Sequence, residues 1–335
     1  MPGLDGIELD TLFAPVAGAA VIALAVSGGP DSLALMLLAR EWTRGGGRPR
    51  LVVYTVDHGL RPEAADEATM VMAEAQSLGL TARTLRWDGE KPETGIQAAA
   101  RKARYGLMAQ AMLVDEAAYL LTAHHLGDQA ETVLMRLAHG SGIEGLRGMD
   151  QIATVGGCRI FRPLLGVEPE ALRDVVREAG LTPAVDPSNR DRHYERVRWR
   201  QLMPALEEMG LDVRRLGTFA ARMADADTLA AEATESAFAA LVHVGPSGDA
   251  EMPHAGLMGL PRMVGVRLLG RVLRLVGGEK KPHALGALEA LHGKLATRRP
   301  LRATTLHGCL IQSDGMTVSI KTEGARNDRA LLTAN

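Results

Sequence analysis

Six residues, Ser27-Gly28-Gly29-Pro30-Asp31-Ser32, place two glycines, two hydroxyls and one carboxylate between an apolar run and a helical pattern. Glycines at a strand–helix turn let the backbone come close to an anion, and free N–H groups at a helix N-terminus point at it. A dinucleotide fingerprint would need GxGxxG and a Walker loop GxxxxGK[ST]; neither is present. The hexapeptide therefore reads as another kind of phosphate cradle, or as a tight turn capped by Asp31 or Ser32. Asp57-His58 and His124-His125, with Asp128 close behind, also follow apolar runs. Asp31 and Asp128 are hard oxygen donors suited to Mg²⁺, or else helix caps. The histidines are either ligand contacts or turn residues bonding backbone. Arg101 and Arg104 share a helix face, as a phosphate fork or as partners of Glu93 and solvent. Arg192, Arg196 and Arg200 recur every four residues and are expected on one helix face, for phosphate contact or as a solvated stripe.

These residues need elements to hold them. Ala20–Val26, Arg50–Val56, Thr81–Trp87, Ala118–Ala123 and Arg159–Pro163 read as strands. Helical patterns cover Asp31–Arg44, Pro62–Leu78, Ile96–Val114 and Asp128–Ala138 between them. The alternation predicts right-handed βαβ units and a doubly wound parallel sheet, with ligands outside the carboxyl ends of its strands. That is where the polar clusters lie. From Leu202 to Ala296 the pattern is mainly helical, with a Gly/Pro/Ser/His break at Gly245–Gly256. Thr304–Gln312 and Thr317–Thr322 flank Asp314-Gly315, a hairpin signal. The expected fold class is thus α/β, a doubly wound parallel sheet followed by a mainly helical domain with a short C-terminal β-hairpin. The expected domains are 1–206 and 207–335.

Composition narrows the function classes. The chain has 335 residues, 46% hydrophobic and 23% charged, which excludes disorder and coiled coil. Eleven aromatics argue against a surface binding single strands by stacking alone. Cys158 and Cys309 form no CxxC, so zinc ribbons and CxxC redox sites are excluded. Ala14–Val26 is too short to span a bilayer and lacks a basic flank, so a cytoplasmic, non-membrane protein is expected. The net charge is −2, yet Arg262–Arg302 holds ten Lys and Arg against two Glu. Such asymmetry fits a basic module meeting a polyanion, or a solvated basic helix face. Arg267, Arg271 and Arg274 share one face of that segment, extended by Lys280 and Lys281.

The hexapeptide resembles the SGGxDS loop of the PP-loop ATP pyrophosphatases, which adenylate an oxygen and release pyrophosphate. Val56–Arg61, Ala100–Tyr105, Thr122–Thr132, Gly140-Ser141-Gly142, Gly145-Leu146, Gly148-Met149, Arg162–Leu165 and Asp186–Asn189 follow in order. Together, across roughly residues 20–206, they resemble the tRNA(Ile)-lysidine synthase family. There are departures: Gly127 stands where the family often has a first aspartate, and Val197 stands for the Asn of its RNRIR motif. Gly127 removes one carboxylate from any metal scheme using two adjacent aspartates.

The resemblance implies an ATP- and Mg²⁺-dependent ligase joining free L-lysine to the wobble cytidine of tRNA(Ile) with a CAU anticodon. Ser27, Gly28, Gly29, Pro30, Asp31, Ser32, Asp57, His58, Arg101 and His124 would bind ATP. Asp31 and Asp128 would hold metal, Asp31, Asp128 and Arg196 would act in catalysis, and Arg192, Arg198, Arg200, Arg267, Arg271 and Arg274 would meet tRNA. A homodimer is left open. Two other readings remain open: a different PP-loop ligase (tRNA thiolase, NAD synthase or GMP synthase), and a non-catalytic RNA-binding module.

Overall fold

A computed structural model describes residues 8–60, 63–184, 191–278, 284–297 and 300–323. Arg61, Asp186–Asn189, Lys280 and Lys281 lie outside them. The chain forms two compact units, Met1–Gly140 with Gly145–Ala221, and Ser141–Glu144 with Arg222–Asn335.

In the first unit the elements run α1 (Leu9–Phe13), β1 (Val21–Ala25), α2 (Pro30–Trp42), β2 (Arg50–Asp57), α3 (Glu63–Ser77), β3 (Thr81–Arg86), α4 (Ile96–Asp115), β4 (Tyr119–Leu121) and α5 (Leu126–Ala138). After a single turn, α6 (Ile143–Leu146), come β5 (Ile152–Val155), β6 (Cys158–Phe161), α7 (Pro169–Glu178) and α8 (Glu195–Glu208). The sheet order is β3-β2-β1-β4-β6-β5. All pairings are parallel except the β5–β6 hairpin. The expected doubly wound parallel sheet is present. Strand β1 pairs with both β2 and β4, so the order reverses there, which is the ligand-binding crevice of such sheets.

Successive residues of β1 point to opposite faces, and all five are buried. Ile22 and Leu24 enter a core with Leu33, Met36 and Leu37 of α2 and Leu172, Val175 and Val176 of α7. Val21, Ala23 and Ala25 enter another with Tyr105, Met108 and Met112 of α4. Burying a side chain such as Leu24 completely is worth about 1.5–3 kcal/mol. A strand apolar on both faces thus holds the loop that follows it between two helical layers.

Helix α9 (Val213–Leu241) begins in the first unit, and the division falls within it, after Ala221. The second unit adds β7 (His243–Val244), β8 (Ala250–Pro253), α10 (His254–Gly259), α11 (Arg262–Gly277), α12 (Leu285–Leu295), β9 (Leu301–Leu306), β10 (Cys309–Ser313) and β11 (Thr317–Thr322). Its antiparallel sheet has the order β7-β8-β11-β10-β9. Leu268, Leu269, Val272 and Leu273 of α11 pack on Met252, Ile311, Val318 and Ile320 of this sheet.

Three strand features exceed the sequence expectation. Strand β5 was not expected; it forms because Gly156 and Gly157, both at positive φ, turn the chain back. The run Thr304–Gln312 splits into two strands at His307 and Gly308, whose φ values of 57° and 68° suit a tight hairpin turn. Strand β8 arises inside the expected break because β11 pairs with it.

One polar cluster ties α4 to the sheet. The Tyr54 hydroxyl donates to Asp115 Oδ2 at 2.9 Å, and Arg83 donates to both carboxylate oxygens at 2.8 and 2.6 Å. These bonds hold the Asp115 carboxyl below its ordinary range, the Arg83 bond foremost. Its stabilisation is therefore full above about pH 4 and lost as pH falls further. Asp115→Ala is expected to cost about 1–3 kcal/mol in urea unfolding at pH 7, with a smaller deficit at pH 3.

Candidate active site

The loop after β1 is built to present its backbone. Gly28 has φ +86°, and a Cβ there would lie 2.9 Å from Met70 Cε, so the position demands glycine. The Ser27 N–H donates to Ser32 Oγ (3.1 Å), and the Ser32 hydroxyl donates to the Gly29 carbonyl (2.9 Å). Ser32 is buried, so its hydroxyl closes the loop from inside. Pro30 opens α2, where its missing N–H costs nothing. Ala184 N–H donates to the Gly28 carbonyl at 2.9 Å and braces the loop from the far side.

Across the crevice, α5 starts with a reciprocal cap. Asp128 N–H donates to His125 Nδ1 (3.3 Å), and His125 N–H donates to Asp128 Oδ2 (3.1 Å). With Nδ1 accepting, the ring proton of the neutral tautomer sits on Nε2. That nitrogen lies 3.5 Å from Asp31 Oδ2 and 3.6 Å from Asp128 Oδ2, so the two carboxylates converge on one ring edge. Burial pushes the proton affinity of His125 down, but Asp31, Asp128 and Glu131 outweigh it and raise the pKa. A Cβ at position 127 would lie 2.9 Å from His125 Cε1. Gly127 is thus the residue that lets the ring fold back onto its helix.

Glu131, three residues after Asp128, shares its helix face and is 3% exposed. Arg200 Nε donates to its Oε1 (2.6 Å), and Arg196 Nε stands 3.3 Å from Oε2. Arg196 also donates to Thr132 Oγ1 at 3.0 Å. Arg196 and Arg200 do share a face of α8. Arg192 does not, because Asp191 accepts the His193 N–H and the helix begins only at Glu195. Arg198 donates to the carbonyls of Arg192 and His193.

One cleft of about 1120 Å³ is bordered by Ser27, Gly29, Asp31, Ser32, His58, Arg101, Arg104, His124, His125, Asp128, Glu131 and Arg200 among others; Gly28 and Arg196 are not in its lining, and Arg196 stands behind Glu131. Asp57 stands behind it: buried, it accepts the Gly59 N–H at 2.8 Å and shapes the turn that carries His58. Two of the short glycine motifs, Gly145-Leu146 and Gly148-Met149, brace α5. Gln129 bonds both N–H and C=O of Met149, and Arg136 Nη1 donates to the Gly145 carbonyl at 2.7 Å. Glu131 was missed as a site residue by sequence reasoning, although its spacing from Asp128 already placed it on the same helix face; Arg104, read with Arg101 as one face of α4, lines the cleft beside it.

In the second unit, Arg267 pairs with the buried Asp227 at 2.5 Å and with Glu144 at 3.2 Å. Arg271 pairs with Glu235 and lies 3.7 Å over the Phe238 ring. Arg274 is exposed.

His124 Nδ1 is 2.9 Å from Thr122 Oγ1. Burial first, then Arg162, Arg196 and Arg104, lower its pKa to about 4, against Asp128. Between pH 6.5 and 4 the unfolded chain therefore binds the proton that the folded one refuses, so stability falls as pH falls through that window. His124→Gln is expected to flatten this decline, and the wild-type imidazole NMR signal to stay neutral above pH 5.

A family model described as "PP-loop domain" matches residues 5–206. The chain is 48% identical over 304 residues to "tRNA(Ile)-lysidine synthase" of Bradyrhizobium sp. strain BTAi1, covering 87% of this chain and 84% of that protein. It is 46% identical over 323 residues to the protein of that name from Rhodopseudomonas palustris, covering 93% of each. Among solved structures, the U34-tRNA thiolase NcsA from Methanococcus maripaludis matches with TM-score 0.56 at 15% identity, covering 64% of this chain and 76% of that one; it supports the fold alone. With a phosphate loop, a capped helix and a shared cleft at the reversal of strand order, and relatives similar over nearly the full length, the chain belongs to the tRNA(Ile)-lysidine synthase family, ATP-using ligases built on a PP-loop domain.

Proposed function

We propose that this protein ligates free L-lysine to C2 of the wobble cytidine in the CAU anticodon of tRNA(Ile), through an adenylated intermediate. The observation that carries the reading is the convergence of the Ser27–Ser32 loop and the Asp128–Glu131 face in one cleft. In the first step the C2 carbonyl oxygen attacks the α-phosphate of ATP and pyrophosphate leaves. In the second the lysine amine attacks C2 and AMP leaves. In this reading the backbone N–H groups of Gly28, Gly29 and the first turn of α2 offset the charge that builds on the phosphates. Ser27, His58, Arg101 and His124 complete the proposed ATP contacts, with Asp57 shaping the turn that carries His58. A neutral His124 contacts the nucleotide without adding charge.

Asp31 and Asp128 fit Mg²⁺ as hard carboxylate donors that line the same cleft and both stand within 3.6 Å of His125 Nε2. When bound, the ion would offset phosphate charge. Arg196, fixed by Glu131 and Thr132, is the proposed catalytic cation. Asp31 and Asp128 supply the negative charge on the cleft wall against which a lysine ammonium is held, Glu131 being met by Arg196 and Arg200.

Asp31→Ala is expected to abolish pyrophosphate release with a change in Tm of a few degrees at most, since it removes no core volume. α-labelled ATP with tRNA and no lysine should yield adenylated RNA, discharged as AMP when lysine is added. ADP formation instead would identify a kinase and overturn the reading.

For tRNA contact we propose Arg192, Arg198 and Arg274, which have no carboxylate partner among the described residues. Arg200, Arg267 and Arg271 reach a phosphate only by giving up a carboxylate. Changing Arg192, Arg198 and Arg274 to Gln should lower the slope of log K against log salt by up to about one per contact. Arg267→Gln should mainly destabilise, by roughly 1.5–3 kcal/mol in urea unfolding.

A further inference from the structure

We infer that the Tyr194 ring is the nucleobase platform of the cleft. Its face takes a planar base, either the reacting cytosine of the RNA or the adenine of ATP. This rests on the function proposed above and deepens it.

Aromatic rings are scarce in this chain, and ten of the eleven are already engaged. Phe13, Tyr54 and Phe161 are fully buried in the cores on the two faces of the parallel sheet. Trp199 and Phe219 pack against the apolar seam of α5 and α8. Trp42, Trp87, Tyr105, Tyr119 and Phe238 each carry an arginine or lysine cation 3.7–5.1 Å from the ring centroid. Tyr194 is the exception. It is half-buried, outside these cores, and has no ring or cation partner among the described residues. Yet it lines the cleft. Tyr105 also lines it, but is only 4% exposed and lies under Arg101.

The backbone that carries the ring is fixed before any ligand arrives. Tyr194 is the N-cap of α8, in extended conformation, and its side chain makes no cap bond. Its N–H donates to the Asp191 carbonyl at 3.2 Å, and its carbonyl accepts the N–H groups of Val197 and Arg198. The next two residues are tied down as well, Glu195 to His139 at 3.0 Å and Arg196 to Glu131 and Thr132. A tyrosine held this way offers a large, rigid face at little further cost in conformational entropy. Unstacked RNA bases are recognised by stacking on such faces, and enzymes that react at a base take it into a pocket to do so. An open ring on the cleft wall, two residues before the proposed catalytic cation, has that chemistry and no packing task.

The test measures binding by the whole chain to three probes. They are ATP, an RNA anticodon stem-loop with the CAU sequence, and the same stem-loop with an abasic wobble nucleotide. Tyr194→Leu is expected to weaken binding of the CAU stem-loop or of ATP by at least about fivefold, with Tyr194→Phe within twofold of the wild type. Loss for the CAU stem-loop, with the abasic one unaffected and the salt slope unchanged, assigns the platform to the cytosine, because stacking releases no counterions. Loss for ATP alone assigns it to adenine. Unchanged affinity of Tyr194→Leu for both, with an intact unfolding transition, overturns the platform. So do equal losses for the CAU and abasic stem-loops, or equal losses in the Phe and Leu variants. Should Tyr194→Leu fail to fold, Tyr194→Gln is read by the same criteria. Binding requires no turnover, so a wild type that never adenylates RNA would refute the reaction and leave the platform standing.

Discussion

The buried carboxylate of Glu131 is the constraint around which the first unit's site is arranged. A charge only 3% exposed is tolerable in a folded chain only when cations and hydrogen bonds compensate it. Burial raises its pKa, while Arg200 and Arg196 act in the opposite sense. Supplying both guanidiniums requires one face of α8 to lie along α5. The apolar contacts of that seam, Val133 and Leu134 with Met203 and Leu216, close beside it. Once α8 is seated, Arg200 also reaches within 3.7 Å of Asp128, so one ion-pair network orients both acidic residues of the cleft.

The same network explains the two departures from the family pattern. Gly127 leaves room for the His125 ring, and this chain uses that ring to link Asp31 and Asp128 where a second aspartate would otherwise stand. Val197 is buried and packs inward, whereas Arg196 and Arg200 face the carboxylates. An amide there was never part of this chain's ion-pair face.

Charge in the second unit illustrates the opposite outcome. The excess of basic residues from Arg262 to Arg302 was visible in the sequence as a candidate polyanion surface. Three of the four arginines on α11, Arg262, Arg267 and Arg271, are instead met by Glu289, Asp227, Glu144 and Glu235, which lie 27 or more positions away in the chain. Local spacing fixes which face of a helix a residue occupies, and says nothing about which acids that face will meet.

The sheet was legible because both-face burial writes a continuous apolar run such as Ala20–Val26, and helices write a 3.6-residue period. The phosphate loop was legible because glycine, proline and serine are required there by local backbone geometry alone. Strand β8 and the onset of α8 were not, since the first depends on pairing with β11 and the second on a three-residue turn at Asp191. Strand–helix alternation, the loop and the helix faces could be read from the chain alone, because neighbours within a few residues set them. Packing brings Asp31 and Asp128 together at His125, sets Arg196 and Arg200 against Glu131, and buries Arg162 away from any carboxylate among the described residues. Those depend on contacts between residues tens of positions apart, whose energies exist only once the helices have packed.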